Sequence, residues 1–321
     1  MRPFWLLVLL ALLSTACQTT SAESVESSPK LAPHRVTFNS GDGTLLIAYL
    51  YRTKAPAPDR TKAPAPDRTK APAPGPAVIM LHGCGGLLTK SGKIKKREAA
   101  WRDILLTEGY TVLLVDSFNP RGHRTICRMK SRPVLPERER PHDAYGALKW
   151  LQTQPFADPG RIALMGWSNG AMAMLWTIRD DAQQRPPQQQ PLGVAMGLEK
   201  DFIAAVGFYP GCIKIGKTNF KASIPALLQV GLADNWTMPK PCIALVEASN
   251  ERGGVAMQID AYDGATHGFD HPGSRPRAIT TKNSVYRSGE KAVLVGTHPE
   301  ARRKAIDRVK AYLRAAFAPR S

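Results

Sequence analysis

The chain has 321 residues, of which 43% are hydrophobic and 22% charged, and its formal net charge at pH 7 is +18. This composition is typical of a globular protein and excludes wholesale disorder, a collagen-like fibre and a polytopic membrane protein. The length allows one large α/β domain. Aromatic residues make up only 7% and do not interleave a basic run, so we expect a solvated basic surface and no nucleic-acid partner.

The first 17 residues have the form of an export signal. A single arginine precedes an apolar run at 6–13 that is too short to span a bilayer, and small residues lead up to Cys17. Ala16-Cys17 resembles a bacterial lipobox, in which the cysteine is lipidated and becomes the new N-terminus. We expect a signal peptide at 1–17 and a flexible tether at 18–33. The protein is then exported as an outer-membrane lipoprotein that faces the periplasm and touches the membrane only through its lipid anchor. Ordinary periplasmic or secreted export is the alternative.

Strands and helices alternate along the predicted domain, which we place at 34–321. A β-hairpin opens it, with strands at 34–40 and 44–52 around Gly41-Asp42-Gly43. The later strands are expected at 78–81, 112–115, 161–165, 202–208, 226–230 and 256–262, and the helices at 98–108, 141–152, 171–179, 241–250 and 301–317. This alternation predicts an α/β fold with a mostly parallel twisted sheet and helices on both faces.

An Ala-Pro repeat interrupts this pattern at 52–76. Its eight-residue period is far below that of a solenoid. Alternating Ala and Pro favour extended polyproline II rather than a packed core. We interpret the repeat as an insertion in the loop between two strands, and a proline-rich ligand for a partner is the alternative.

The cysteines predict two disulfides. Cys17 belongs to the export signal, and the other four can pair in three ways. We favour Cys212–Cys242, because each is expected just past a strand end, and Cys84–Cys127 then follows. The four show no C-x-x-C spacing, so we expect no metal site.

One motif carries the chemistry: Gly166-Trp167-Ser168-Asn169-Gly170 has the form G-x-S-x-G. It follows a short apolar strand and precedes a helix, the context in which this motif makes a sharp turn that exposes a nucleophilic serine. The N-terminus of the helix favours negative charge that develops beside it. We therefore predict Ser168 as the nucleophile, and a plain turn serine is the alternative.

A serine nucleophile needs a base, and the chain offers one. Where such a serine turn carries a triad, the chain order is serine, acid, histidine. Asp234 and His267 each follow a predicted strand, where open α/β sheets place their sites. His267 would accept the proton of Ser168, and Asp234 would hold the imidazole tautomer. Asp263, four residues before His267, is the rival acid.

A glycine-rich loop, His82-Gly83-Cys84-Gly85-Gly86, ends another predicted strand. Glycines let the backbone approach a substrate and aim N–H groups at an oxyanion. We predict the backbone N–H groups of Cys84 and Asn169 as the two donors. A loop needed only for chain reversal is the alternative.

Substrate contacts are less sharply indicated. The long loop at 116–132 carries Arg121 and Arg124, either of which would bind an anionic substrate group, while exposed surface charge is the alternative. Trp167 and Trp236 are interpreted as lining an apolar pocket or as packed core, with neither favoured.

Together these motifs resemble the dienelactone hydrolase family of the α/β-hydrolases over about residues 35–317. The segments that carry the resemblance are 82–86, 116–118, 166–170, 209–212, 234–237 and 267–269. It implies hydrolysis of a small-molecule ester or lactone through an acyl-enzyme, without metal or cofactor. The founding enzymes have a cysteine where this chain has Ser168 and a glutamate where it has Gly83, so their dienelactone substrate does not transfer.

Two other functions stay open. A peptidase similar to prolyl oligopeptidases shares this core and triad order, although no propeller-sized domain is expected before the core. A non-catalytic basic protein that holds anionic polymers of the cell envelope is a different class. Loss of a triad residue would mark it, and all three are present. The oligomeric state is not indicated.

Overall fold

A central sheet organises the fold, and the computed structural model describes it within residues 32–52, 73–180, 198, 200–280 and 292–319. Its eight strands in these residues are β1 (His34–Asn39), β2 (Leu45–Tyr51), β3 (Gly75–Leu81), β4 (Thr111–Asp116), β5 (Ala157–Trp167), β6 (Ala204–Phe208), β7 (Ala226–Gly231) and β8 (Met257–Tyr262). They lie in the order β1-β2-β4-β3-β5-β6-β7-β8. The β1–β2 and β2–β4 pairs are antiparallel, and every later pair is parallel.

Helices cover both faces of the sheet. Those that bear on the site are α1 (Lys96–Thr107), α2 (Glu139–Gln152), α3 (Asn169–Thr177), α4 (Lys240–Glu251) and α5 (Pro299–Phe317). Apolar residues of α2, α3 and α4 pack in one core cluster, and those of α1 and α5 pack in another. Along β3, Ala77 and Ile79 point into the first cluster and Val78 and Met80 into the second, as the two-residue period of a strand requires.

The final helix shows how the sequence specifies these elements. Buried residues recur every fourth position from Ala301 to Phe317, which makes the apolar stripe of a helix that lies on a core. Pro299 occupies the first turn, where its missing N–H costs no hydrogen bond. The side chain of His298 accepts the N–H of Ala301 at 3.2 Å and caps the helix.

A small two-stranded antiparallel sheet was not predicted from the sequence. It consists of β9 (Arg277–Thr280) and β10 (Ala292–Val295). Each strand has four residues, too few for a period-two pattern to stand out. This hairpin lies near the candidate site, because Val295 bridges to His267 and the N–H of Leu294 donates to Asn235 Oδ1 at 2.8 Å.

The predicted fold class is confirmed, including the N-terminal hairpin and the mostly parallel sheet. The predicted signal peptide at 1–17 with Cys17, most of the tether at 18–33, and residues 53–72 of the Ala-Pro repeat lie outside the described residues. Among the described residues, no helix combines the length and hydropathy needed to cross a bilayer.

Candidate active site

Ser168 occupies a strained turn between β5 and α3. Its backbone has φ 50° and ψ −114°, a conformation that side chains other than glycine rarely adopt. The flanking glycines make this turn sterically possible. A Cβ on Gly166 would lie 2.4 Å from the carbonyl oxygen of Gly170, and a Cβ on Gly170 would lie 2.1 Å from that of Leu81. The turn therefore holds the Ser168 side chain away from the strand, as the motif predicted.

The predicted acid and histidine are brought together by the loops after β7 and β8. His267 Nδ1 donates to Asp234 Oδ2 at 2.8 Å. The other carboxylate oxygen of Asp234 accepts the N–H groups of Trp236 and Thr237 at 2.7 and 2.8 Å. Asp234 is 3% exposed and His267 6%. The rival acid, Asp263, is exposed and accepts the N–H of Gly264 instead.

Thr237 is a further polar contact of this pair that sequence reasoning missed. Its Oγ1 lies 2.9 Å from Asp234 Oδ2, 3.0 Å from His267 Nδ1 and 2.9 Å from the carbonyl oxygen of Tyr209. The hydroxyl can donate its one proton to an oxygen and accept from the imidazole N–H. It thus connects Asp234 and His267 to Tyr209, the residue after β6.

Aromatic rings flank the imidazole on two sides. The ring centroids of Tyr209 and Trp236 lie 4.5 and 4.8 Å from that of His267. Tyr209 has a positive φ of 39°, the second non-glycine residue in that region besides Ser168 among the described residues. Ser168 directly follows β5 and Tyr209 directly follows the neighbouring strand β6. The N–H of Ser168 donates to the carbonyl oxygen of Phe208, the last residue of β6, at 2.9 Å.

The glycine-rich loop after β3 is fixed through its carbonyl groups. Gly83 O accepts His82 Nδ1 at 2.8 Å and the N–H of Gly86 at 3.0 Å. Gly85 O accepts Lys95 Nζ. His82 is fully buried, and burial lowers its pKa well below the usual value, consistent with a neutral ring that donates through Nδ1 and accepts the N–H of Ser117 at Nε2.

The two predicted oxyanion donors, Cys84 and Asn169, line the same cavity as Ser168. Asn169 is the first residue of α3, a position at which the backbone N–H has no acceptor within the helix. Its side chain is held from behind, because Arg140 Nη1 donates to Asn169 Oδ1 at 2.8 Å.

The cavity beside Ser168 measures about 300 Å³. Its larger apolar side chains are Met172, Ile213, Trp236 and Met238. Arg132, Lys214 and Lys217 add cationic groups. Among the described residues no carboxylate belongs to the lining, so the cavity is apolar with a basic surround.

The other predicted substrate residues lie elsewhere. Arg121 donates to both carboxylate oxygens of Asp143, at 2.8 and 3.0 Å, and to Asp42 at 2.9 Å. It therefore ties the loop after β4 to α2 and to the first hairpin, in place of the predicted substrate contact. Arg124 does not line the cavity, and its carbonyl oxygen faces Gly86. Of the two tryptophans, Trp236 lines the cavity and Trp167 is fully buried core.

The buried carboxylate of Asp270 binds three side chains on the core side of the site, and the sequence analysis did not predict this network. Asp270 accepts Trp101 Nε1 at 2.7 Å, Trp167 Nε1 at 2.8 Å and the Tyr209 hydroxyl at 2.6 Å. These three donors come from α1, β5 and the residue after β6. Arg97 Nη1 also donates to the Tyr209 hydroxyl at 3.2 Å. The network fixes Tyr209, which packs on His267.

Both predicted disulfides are confirmed. Cys84–Cys127 has a Cα–Cα distance of 4.9 Å and Cys212–Cys242 one of 5.1 Å. Cys242 lies in the first turn of α4, however, rather than just past a strand. The bonds indicate an oxidising, exported compartment.

Two family models match adjacent parts of the chain. The segment with Ser168 matches the prolyl oligopeptidase family over residues 136–185. The segment with Asp234 and His267 matches the dienelactone hydrolase family over residues 192–317. No curated protein matches the chain.

Solved structures with a similar fold include esterases. Thermogutta terrifontis esterase 2 phosphoramylated by tabun is 16% identical, with a TM-score of 0.59, and the match covers 92% of this chain and 100% of that one. The propionate-bound form of the thermophilic esterase Est2 from the same organism is 15% identical, with a TM-score of 0.56 and the same coverage. A Klebsiella pneumoniae protein described as a dienelactone hydrolase is 16% identical, with a TM-score of 0.55 and coverage of 88% and 98%.

The structural matches establish the fold, and the two family models add similarity in sequence. One model covers the segment with Ser168 and the other the segment with Asp234 and His267. The resemblance predicted from the motifs is confirmed: the chain has the α/β-hydrolase fold and resembles the dienelactone hydrolase family over residues 192–317.

Proposed function

We propose that the chain is a serine hydrolase that cleaves a carboxylic ester or lactone through an acyl-enzyme. Ser168 is the nucleophile, His267 the general base and Asp234 the acid that orients it. The observation that carries this proposal is the 2.8 Å bond between His267 Nδ1 and Asp234 Oδ2. With the proton on Nδ1, Nε2 is the imidazole nitrogen that can accept a proton. The imidazole packs against Trp236, and Trp236 lines the same cavity as Ser168.

The reaction begins when Ser168 Oγ attacks the substrate carbonyl carbon and its proton passes to His267 Nε2. Asp234 stabilises the imidazolium that forms. The carbonyl oxygen becomes an oxyanion, which the N–H groups of Cys84 and Asn169 stabilise. Fixed donors of this kind need no reorganisation during the reaction. The tetrahedral intermediate then collapses, the alkoxide leaves with the proton from His267, and an acyl-enzyme remains.

Water completes the cycle. His267 takes a proton from a water molecule, the hydroxide attacks the acyl carbonyl, and a second tetrahedral intermediate releases the carboxylic acid and returns the proton to Ser168 Oγ. In a lactone the leaving alkoxide stays attached to the acyl group, so a single hydroxy acid is the product. No step needs a cofactor.

The cavity favours small substrates with an apolar acyl group. Its volume of about 300 Å³ lies at the lower end of the range for small-molecule sites. The apolar wall suits an acyl chain. A relative in fold has been solved with propionate bound, which supports a short acyl group for this site.

A peptidase is the second candidate, because the segment with Ser168 matches the prolyl oligopeptidase family. Both activities share the acyl-enzyme, so the leaving group decides between them. Both leaving groups depart with the proton from His267, but an amine anion is a much poorer leaving group than an alkoxide, so an amide depends more strongly on that proton transfer. Matched ester and anilide substrates with the same acyl group would separate the two. We expect the ester to be cleaved and the anilide not.

Fluorophosphonate labelling tests the proposed function. We expect one adduct on Ser168, found by peptide mass spectrometry, that is lost in Ser168→Ala and weakened in His267→Ala. Ser223→Ala is the matched control, since that hydroxyl donates to the Ile178 carbonyl oxygen and lies outside the cavity lining. Labelling that persists in Ser168→Ala, or a folded protein that takes no label, would overturn the proposal.

We also propose that the protein is exported and anchored by a lipid on Cys17, with the two disulfides as support. The mass of the mature N-terminal peptide tests this. A diacylglyceryl cysteine at position 17 is the expected result. An unmodified N-terminus at any other residue would contradict it.

A further inference from the structure

The oxyanion loop, residues 82–86, is held by a second loop at 124–127. The carbonyl oxygen of Cys84 accepts the N–H of Ile126 at 2.9 Å and the hydroxyl of Thr125 at 3.2 Å. Gly86 has φ 79°, and a Cβ there would lie 2.0 Å from the carbonyl oxygen of Arg124. The two loops are therefore in backbone contact, and only glycine fits at the point of closest approach.

Cys84 is the residue most firmly held in this contact. Its N–H shares a planar peptide unit with the carbonyl of Gly83, which accepts hydrogen bonds from His82 and Gly86. Its own carbonyl is held by Ile126 and Thr125. Its side chain is bonded covalently to Cys127. Both peptide planes and the side chain are thus fixed around the proposed oxyanion donor.

We propose that Cys127 is a positioning residue for the oxyanion hole, acting through the Cys84–Cys127 disulfide on the N–H of Cys84. The inference rests on the proposed function, because it needs an oxyanion that forms at Ser168. Breaking the disulfide frees the side chain of Cys84 and leaves the donor held by hydrogen bonds alone. Since the oxyanion exists only in the transition state, the loss falls on kcat rather than on KM.

The two disulfides also differ in their access to solvent. Cys127 is half-buried, whereas Cys212 and Cys242 are 1% and 0% exposed. A small dithiol therefore reaches Cys127 first. Its thiolate attacks the Cys127 sulfur, Cys84 leaves as a thiolate that takes a proton, and the second thiol closes a cyclic disulfide on the reagent and releases Cys127 as a thiol. The protein disulfide gains two electrons and two protons, and the dithiol loses them.

Paired variants test the positioning role. We expect Cys127→Ala to lower kcat for p-nitrophenyl butyrate ~10-fold with KM little changed, because a displaced donor costs less than the ~10²–10³ of a deleted one. The double variant Cys84→Ala/Cys127→Ala should match it. Cys242→Ala is the control that also loses one disulfide. It should lower the thermal midpoint but leave kcat near the wild-type value.

Reduction tests the same point in the wild-type chain. With dithiothreitol, we expect iodoacetamide to modify Cys84 and Cys127 before Cys212 and Cys242, and kcat to fall in step with modification of the first pair. Reoxidation without alkylation should restore kcat. Equal loss of kcat in Cys127→Ala and Cys242→Ala, or full kcat with Cys84 and Cys127 alkylated, would overturn this inference while the proposed function stands. A fully oxidised protein that neither labels nor hydrolyses esters would instead overturn the proposed function.

Discussion

Two flanks of Ser168 differ in how they are built. On the flank of Asn169, charged groups are buried and locked: Arg140 and Asp143 are both 0% exposed, and Arg121 closes over Asp143. On the flank of His267, the neighbours are aromatic rings, chiefly Tyr209 and Trp236. The charged flank packs against Asn169, a proposed oxyanion donor, and the aromatic rings pack on both sides of His267, the proposed base.

The difference matches the two tasks of the proposed reaction. An oxyanion gains most from dipoles and charges that are already fixed, because they act in a low dielectric without reorganising. The base instead needs one defined tautomer and ring position, which packed rings and the contacts of Asp234 and Thr237 supply. The variants below separate the two flanks, from the largest expected effect to the smallest.

The largest effect is expected at Asp234, whose carboxylate accepts the hydrogen bond of His267 Nδ1. In Asp234→Asn the amide cannot stabilise the imidazolium and favours the wrong tautomer, so kcat should fall by about 10³–10⁴. Asp263→Asn is the matched control and should stay near wild type, because Asp263 is exposed. Steady-state ester hydrolysis measures both. A comparable loss in the two variants would mean that the acid is wrongly assigned.

On the charged flank, Arg121→Ala should affect stability rather than chemistry. It removes the bidentate partner of buried Asp143, which costs about 3 kcal/mol of unfolding free energy at neutral pH. Urea unfolding measures the loss, with exposed Arg124→Ala as control. The KM of the folded variant should be unchanged for acidic and neutral esters alike. A raised KM for acidic esters only would restore the substrate contact predicted from the sequence.

The loss of unfolding free energy in Arg121→Ala should depend on pH with a defined sign. Burial raises the pKa of Asp143, and the hydrogen bond and charge of Arg121 oppose the rise. Without Arg121 the folded pKa rises further. A carboxyl with a raised folded pKa stabilises the fold fully below its unfolded pKa, and this contribution is lost as pH rises through the folded pKa. The deficit of Arg121→Ala should therefore be largest at neutral pH and shrink towards the unfolded pKa of about 3.9.

A smaller effect is expected at Thr237. Thr237→Val keeps the shape but removes the hydroxyl that contacts Asp234 and His267. A hydrogen bond to a charged group contributes about 1.5 kcal/mol or more, so kcat should fall ~10-fold. Thr237→Ser keeps the hydroxyl and should recover most of the rate. A serine variant as slow as the valine variant would show that packing, and not the hydroxyl, is what matters.

The smallest effect concerns the cavity wall. Ile213 is 40% exposed and lines both the cavity at Ser168 and a neighbouring cavity of about 370 Å³. In Ile213→Trp the larger ring should occupy part of the cavity. We expect KM to rise severalfold for p-nitrophenyl butyrate but not for p-nitrophenyl acetate. Leu232→Trp, on another exposed apolar position, is the control. An equal change for both esters would place the acyl group elsewhere.

Much of the fold was predictable because it rests on local patterns. All six residues of β4 are buried around an apolar run of four, and the stripe of α5 repeats every fourth residue. The turn at Ser168 was predictable for a similar reason, since its motif is five adjacent residues between a strand and a helix. The roles proposed for Cys84 and Asn169 came from the glycine-rich loop after another strand and from the start of the helix.

The other contacts of the candidate site join residues far apart in the chain, and no sequence pattern predicts them. Asp270 binds Trp101 across 169 positions, and Arg140 reaches Asn169 across 29. The bonds of Arg121 to Asp143 were not predicted, because a sequence does not tell whether a basic residue meets a substrate or a buried carboxylate. The contacts of Thr237 with Asp234 and His267 were not predicted either, because nothing in the sequence distinguishes this hydroxyl from the others.

The contact between the Trp236 and His267 rings also gives the protein a built-in optical probe. Contact with a protonated imidazole quenches indole emission, and these two ring centroids are 4.8 Å apart. The emission lost in Trp236→Phe would therefore report the charge of His267 directly, without a substrate. Acylation of Ser168, which changes the surroundings of His267, would become visible as a change in light within a single turnover.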